Sequence, residues 1–431
     1  MGERHRRQAD WLSVREALER VLGAVAPLGA ERIPVAEAAG RTLAEDIVSP
    51  LDHPPWDNSA MDGYAVRAAD VRGASRDAPV VLEVIESVPA GAFPGRRVGP
   101  GQAIRVMTGA PVPEGADSVV RVEDTETLPG APERVAVFDD RDAGRNIRRR
   151  AEDLRAGTVV LRAGRVLRPG EVGVLAAVGR SEVAVARRPR VGILSTGNEL
   201  AGAEAFEDVR AGRRIADSNG YALAAAVATA GGVPVRLGIA RDDEASLRAY
   251  FEAAEGLDAL ITSAGVSVGE HDLVRDVLTA LGFELDFWRV RMRPGSPFSF
   301  GRLGRTPVFG LPGNPVSALV TFEVFVRPAL RRMAGRRDVH SRTIRVRLGE
   351  RVESKAGLVH FLRARLELDG PAGYVARLTG AQGSGILSSM AEADALLVIP
   401  EDVERLAEGE DVVAIPLLPG DAGQETSGLP A

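Results

Sequence analysis

The stretch Asp258-Ala-Leu-Ile-Thr-Ser-Ala-Gly-Val-Ser-Val-Gly-Glu-His-Asp272 decides the fold, together with Leu273, Val274, Val277, Leu278 and Leu281 at helical spacing behind it. The apolar run 257–262 has the length of a buried strand, so the whole reads strand, small-residue loop, helix. Small residues let backbone N–H groups approach a ligand, and the start of the next helix adds unpaired donors and a positive dipole end. Such a loop is a place for an anion. Glu270 and Asp272 put two carboxylates beside it, which makes sense around a shared Mg²⁺ or a shared proton. Acidic caps on an ordinary βα turn account for the same letters equally well. The flanking sequence has to decide.

Outward from this stretch the pattern repeats. A strand at 191–194 meets Ser195-Thr-Gly-Asn-Glu199, and Asp217-Ser-Asn219 caps an alanine-rich helix that ends at Gly231-Gly232. A strand at 233–240 precedes Asp242-Asp-Glu244 and a helix at 245–254, and Gly310-Leu-Pro-Gly-Asn-Pro315 leads into a helix at 316–333. Strands alternating with helices predict a doubly wound, mostly parallel α/β sheet with its ligand sites at the carboxyl ends of the strands. Ser195, Thr196, Gly197, Asp242, the loop with Ser263, Gly265, Ser267 and Gly269, and the Gly310 to Pro315 turn converge on that edge. Between Phe287 and Phe298, Arg289, Arg291 and Arg293 recur at every second position, which predicts a strand with one basic face.

The 431 residues suffice for two to four domains, and 45% hydrophobic with 26% charged content is that of a soluble globular chain. No apolar run nears the ~20 residues that span a bilayer, and the first residues lack an apolar leader. A cytoplasmic protein without membrane attachment is expected. The absence of cysteine excludes disulfides, thiolate metal sites and a cysteine nucleophile. The five histidines never fall at ligand-pair spacing, so any metal is held by oxygen. A net charge of −6 weighs against nucleic-acid binding. Lys355 is the single lysine, which leaves phosphate recognition to arginine and backbone.

Upstream, 11–26 reads as an amphipathic helix with Ser13 as cap and Leu12, Ala17, Leu18, Val21, Leu22 and Val25 on one face. Asp57, Asn58, Ser59 and Asp62 then crowd four oxygen-bearing side chains into six residues, as a turn-rich domain entry or a polar site requires. Short strands at 80–87, 102–107, 118–122 and 134–138 predict an inserted β domain, with Thr108 at a strand end. Arg145-Asn-Ile-Arg-Arg-Arg150 is a solvated charge run or a hinge holding Asp153. Strands return at 343–348, 358–368, 375–379, 395–399 and 411–416. Gly380-Ala-Gln-Gly-Ser-Gly385 among them is a loop by default and an anion-accepting nest by hypothesis.

Six stretches together resemble the molybdopterin molybdenumtransferase (MoeA) family: Asp57 to Val66, Met107 to Asp117, Asn146-Ile-Arg-Arg-Arg150, Ser195-Thr-Gly-Asn-Glu-Leu200, Gly265-Val-Ser-Val-Gly-Glu270 and Gly310 to Ala318. The resemblance runs in order from Trp11 to Pro416. It implies an elongated, multidomain homodimer: a discontinuous linker domain at 1–53 and 147–187, a small β domain at 54–146, an α/β domain at 188–334, a carboxyl-terminal β domain at 335–418 and a tail at 419–431. It implies an enzyme that takes adenylylated molybdopterin and molybdate and hydrolyses the adenylate with Mg²⁺. Its partners would be the molybdopterin adenylyltransferase and acceptor molybdoenzymes.

By the same resemblance, functional positions fall on Asp62, Thr108, Asp153, Glu199, Asp242 and Asp272, with Glu199, Asp242 and Asp272 as Mg²⁺ ligands. Arg289, Arg293, Pro312, Pro315, Arg363 and Ser384 join them, on a site shared between subunits. Three positions depart from the family's commoner pattern: Asn198 for aspartate, Ala264 for glycine and Ser296 for lysine.

Overall fold

The computed structural model describes residues 11–264, 273–369 and 373–417. They form two compact units, one of residues 46–163 and 169–181 (the inserted unit) and one of the remainder (the main unit). The main unit opens with helix α1 (Val14–Gly23). Ser13 accepts the Glu16 N–H while Glu16 accepts the Ser13 N–H, a reciprocal cap that fixes where the helix starts. Ala17, Val21 and Leu22 are buried, on the face that the spacing predicts. Strand β1 (Ala30–Pro34) follows.

In the inserted unit, β2 (Gly63–Val66), β3 (Val80–Val88), β4 (Gln102–Val106), β5 (Ser118–Arg121), β6 (Thr125–Leu128) and β7 (Ala131–Val137) form one sheet in the order β5-β2-β4-β3-β7-β6. Period-2 alternation sends Tyr64, Val66, Leu82 and Val120 into one core, and Ala65, Ile104 and Val119 into another. Gly63 is required where it stands, because a Cβ there would lie 2.0 Å from the Val120 carbonyl oxygen. The polar edge strand β6 was not anticipated; Thr125-Glu-Thr carries no apolar alternation, and its partner β7 alone makes it a strand. Helix α2 (Pro169–Ala177) belongs to the same unit.

The chain re-enters the main unit at β8 (Glu182–Ala186), antiparallel to β1. Then come β9 (Arg190–Thr196), α3 (Ser218–Thr229), β10 (Val233–Ala240), α4 (Glu244–Ala253), β11 (Ala259–Ser263), α5 (Leu273–Ala280), β12 (Phe283–Trp288), β13 (Ser299–Leu303) and β14 (Thr306–Leu311). Their sheet runs β10-β9-β11-β14-β13-β12. Its first four strands pair in parallel and the last two pairings, β14–β13 and β13–β12, are antiparallel, as expected where β12 to β14 follow one another without a crossover helix. Ile193, Ile261 and Phe309 pack with Leu223 and Val227 of α3 on one face. Leu194, Leu260 and Val308 pack with Leu247 and Phe251 of α4 and Leu278 of α5 on the other. The sheet is thus covered on both sides.

Residues Pro315–Thr321 (α6) and Arg327–Met333 (α7) are joined by a π turn at Phe322–Val326. Beyond them β15 (Ile344–Leu348), β16 (Val359–Leu368), β17 (Tyr374–Leu378), β18 (Ala395–Ile399) and β19 (Asp411–Pro416) pair in a closed ring, β16-β17-β15-β19-β18 and back to β16. Val346, Leu362, Ala376, Leu397 and Ala414 fill its interior. No helix of the described residues is long and apolar enough to cross a membrane.

Candidate functional site

At the carboxyl edge of the parallel strands, apolar residues give way to hydroxyls. Ser195, Thr196, Thr262 and Ser263 are all buried, and a buried hydroxyl needs a partner. Ser195 donates to Asp217 at 2.8 Å, and the same carboxylate oxygen caps α3 by accepting the Gly220 N–H at 2.9 Å. Asn219 donates to the Ser263 hydroxyl and to the Gly313 carbonyl, each at 2.7 Å. These bonds lock the start of α3 to two strand ends. Two polar atoms are left over: Asn219 Oδ1 and Thr262 Oγ1 are buried without a partner. Asp217 and Asn219 were legible in the sequence only as helix caps, so their place in this wall went unread.

The carboxylates follow on the same edge. Gly197 has φ 142°, and a Cβ on it would fall 2.4 Å from the Glu199 carboxylate, so only glycine lets Glu199 fold back there. Asn198 and Asp242 bind each other reciprocally: the Asn198 N–H donates to the Asp242 carboxylate at 3.2 Å, and the Asp242 N–H to the Asn198 side-chain oxygen at 3.3 Å. Among the described residues no three Asp, Glu or His side chains form a ready-made metal cluster. Gly265, Ser267, Gly269 and Asp272 lie outside the described residues. Ala264, at φ 71°, donates its N–H to Leu311 at 3.0 Å.

The predicted basic strand does not form. β12 stops at Trp288, Arg289 turns to φ 73°, and only Met292–Arg293 is extended again, alongside Val359 and His360 of β16. The three arginines therefore diverge. Arg289 stacks on Trp288, 4.0 Å from its ring centre, with Trp11 at 5.1 Å. Arg291 donates to the Trp11 carbonyl and pairs with Glu401 at 3.3 Å. Arg293 lines a cavity of about 310 Å³ with Lys355, His360, Arg363 and Gln382. Ser296 closes the turn by donating to the Met292 carbonyl at 2.5 Å.

Arg363 is fully buried, on the side of β16 opposite the barrel interior. Its guanidinium donates to the Ser389 hydroxyl and to the carbonyls of Ala381, Gln382 and Gly383, so it pins the 380–385 loop. Burial lowers its pKa and also holds the His360 imidazole below its ordinary value. The pinned loop reaches the helix that follows β14, where the Ser384 carbonyl accepts the Val316 N–H at 3.1 Å. Pro315 begins α6 at the position where a missing N–H costs nothing, and Pro312 precedes it in the turn after β14.

In the inserted unit, the Asp62 carboxylate accepts both the hydroxyl and the backbone N–H of Thr108, each at 2.7 Å. Those two bonds, the hydroxyl's first, hold Asp62 below the usual carboxylate range. Asp153 lines a cavity of about 340 Å³ with His53, Trp56, Asn58, Arg148 and Gly109, the residue after Thr108.

Three family models match in order along the chain: the MoeA N-terminal region (domain I and II) at residues 12–179, a probable molybdopterin binding domain at 192–332, and the MoeA C-terminal region (domain IV) at 345–417. The chain is 42% identical over 383 residues to molybdopterin molybdenumtransferase 2 of Mycobacterium tuberculosis (strain ATCC 25618 / H37Rv), covering 88% of this chain and 92% of that protein. It is 33% identical over 418 residues to molybdopterin molybdenumtransferase of Staphylococcus aureus (strain COL), covering 96% and 97%. The crystal structure of the molybdopterin biosynthesis moeA protein from Pyrococcus horikoshii OT3 superposes with a TM-score of 0.81 at 35% identity, over 94% of this chain and 100% of that one.

Proposed function

This chain belongs to the MoeA family of molybdopterin molybdenumtransferases, enzymes of molybdenum cofactor biosynthesis, and from that premise we propose that it takes adenylylated molybdopterin and molybdate, hydrolyses the adenylate with Mg²⁺, and releases molybdenum cofactor and AMP. One observation carries the reading: on the α3 face the strand edge holds a spare buried acceptor, Asn219 Oδ1, beside the satisfied hydroxyls of Ser195 and Ser263, and the same edge continues into Glu199 and Asp242. A pterin ring brings the amino and ring N–H donors that such an acceptor lacks.

The donor chemistry here suits Mg²⁺, because Glu199 and Asp242 are exposed oxygen ligands on neighbouring loops and the chain has no thiolate to favour a softer ion. Glu199 and Asp242 would hold it, with Asp272 as a third carboxylate. When bound, the ion supplies neutralisation of charge on the scissile phosphoanhydride. Asn198 orients Asp242 through paired bonds without adding a like charge. Arg293 and Lys355 bring positive charge to one cavity, a place for the molybdate oxyanion, and Arg363 holds the Ser384 loop beside it. In this reading the protein works in the cytoplasm as a homodimer, receives its substrate from an adenylyltransferase and passes the cofactor to acceptor molybdoenzymes. Asp62, Thr108 and Asp153 act across the subunit boundary.

The test is AMP release from adenylylated molybdopterin with Mg²⁺, with and without molybdate. Wild type releases AMP only when molybdate is present, and Asp62→Ala lowers the rate by about 100-fold or more. Binding without turnover in the wild type would sink the transferase reading and leave a pterin-binding scaffold.

A further inference from the structure

A third cavity, of about 360 Å³, lies at the amino-terminal end of β9 and β10, where α3 ends, so it is remote along the strands from the carboxyl edge described above. Arg41, Arg188 and Arg336 line it, with Thr42 and Thr229, and no carboxylate does. Apart from Val166, the rest of the wall is alanine and glycine, which leaves the space open.

Two of the three guanidinium groups, those of Arg41 and Arg336, keep a buried Nε without an acceptor. Arg188 spends two donors on the Gly231 and Gly232 carbonyls, at 3.0 and 2.8 Å. Arg41 pairs with Glu31 and donates to the Ala186 carbonyl at 3.0 Å, and Arg336 only reaches the largely exposed Asp338 at 3.4 Å. Among the described residues, the buried guanidinium Nε groups without an acceptor belong to Arg41, Arg331 and Arg336, and two of these three residues line this cavity. Arg331 accepts the Arg336 N–H on its backbone carbonyl, and its pKa is pushed down to about 10, by burial first and then by the charges of Arg336 and Arg327. Positive charge is in local excess, and donors outnumber acceptors.

The geometry points to this cavity as a binding site for a tetrahedral oxyanion, a phosphate group either free or carried on a small molecule. Planar guanidinium edges lining one cavity, with the Thr42 hydroxyl among them, are the donors such an anion takes; the Thr229 hydroxyl is already spent on the Ala226 carbonyl. The volume exceeds that of bare phosphate, so a phosphomonoester fits as well. The site is independent of the transferase reading, because its readout is binding at residues remote from that edge.

The test is titration calorimetry of the full-length protein with inorganic phosphate and, separately, with ribose 5-phosphate. Wild type, Arg336→Gln and Ala228→Glu are compared. Ala228 is exposed on α3 and lines the cavity, so Ala228→Glu supplies an internal carboxylate without disturbing the core. The expected result is a phosphate site in the wild type that is weakened by about tenfold or more in Arg336→Gln and lost in Ala228→Glu, while any binding at the Arg293 and Lys355 cavity is the same in all three proteins. Tighter binding of ribose 5-phosphate identifies an ester as the ligand, and equal binding identifies the free anion. No heat with either probe in the wild type, or heat undiminished in Ala228→Glu, overturns the assignment. If Arg336→Gln fails to fold, Ala228→Glu alone decides.

Discussion

Asn198 stands where an acid would crowd Asp242. As it is, the amide oxygen takes the Asp242 N–H and leaves the carboxylate free of a like-charged neighbour. Asn198→Asp puts two carboxylates in contact, which repel until a divalent ion sits between them. The half-saturating Mg²⁺ concentration for AMP release should then fall by about tenfold, equivalent to ~1.4 kcal/mol of added metal affinity. An unchanged Mg²⁺ dependence would mean that Asp242 is not a ligand. Ser296 also departs from a cation, but its hydroxyl closes the 292–296 turn that aims Arg293. Both departures have local structural work to do.

At the scale of the element, charge pairs fasten the segment after β7 to the inserted sheet: Arg141 to Asp124, and the more deeply buried Asp142 to Arg121. Asp142 receives Nε and Nη2 of Arg121 at 2.9 Å each, and the Arg121 backbone N–H at 3.1 Å. Burial alone would raise the Asp142 pKa; the Arg121 bonds outweigh it and bring the value from 3.8 down to about 2. A depressed folded-state pKa means stability that is fully present above about pH 4 and lost as pH falls through about 2. The contribution is roughly 2 kcal/mol. Asp142→Asn should lower the unfolding free energy at pH 7 by about that much, measured by urea denaturation, and should flatten its decline between pH 4 and 2. A variant that keeps the same acid-side slope would assign that slope to other carboxylates.

For the whole molecule, the predicted site residues divide between two units: Asp62, Thr108 and Asp153 in one, Glu199, Asp242, Arg293 and Arg363 in the other. If the proposed homodimer completes each site with the neighbouring subunit, then Asp62→Ala and Glu199→Ala, each inactive, should restore activity when dissociated and reassociated together. Random mixing makes half the dimers mixed, each with one intact site, so about a quarter of wild-type AMP release is expected. No recovery, with mixed dimers verified by differently tagged chains, would place each site within a single chain. What the sequence alone determined is what short-range physics writes: strand and helix periods, the caps at Ser13 and Asp217, and the small-residue turns at strand ends. Those signals need only a few neighbouring residues, and they were enough for the α/β sheet and the carboxyl-terminal strands. Only the tertiary structure decided that Arg289, Arg291 and Arg293 part company, that Arg363 is spent on a loop, and that Asn219 joins Ser263 and Gly313, 44 and 94 residues away. A side chain's partner across such a separation is set by how sheets and helices pack, and no local pattern in the chain records it.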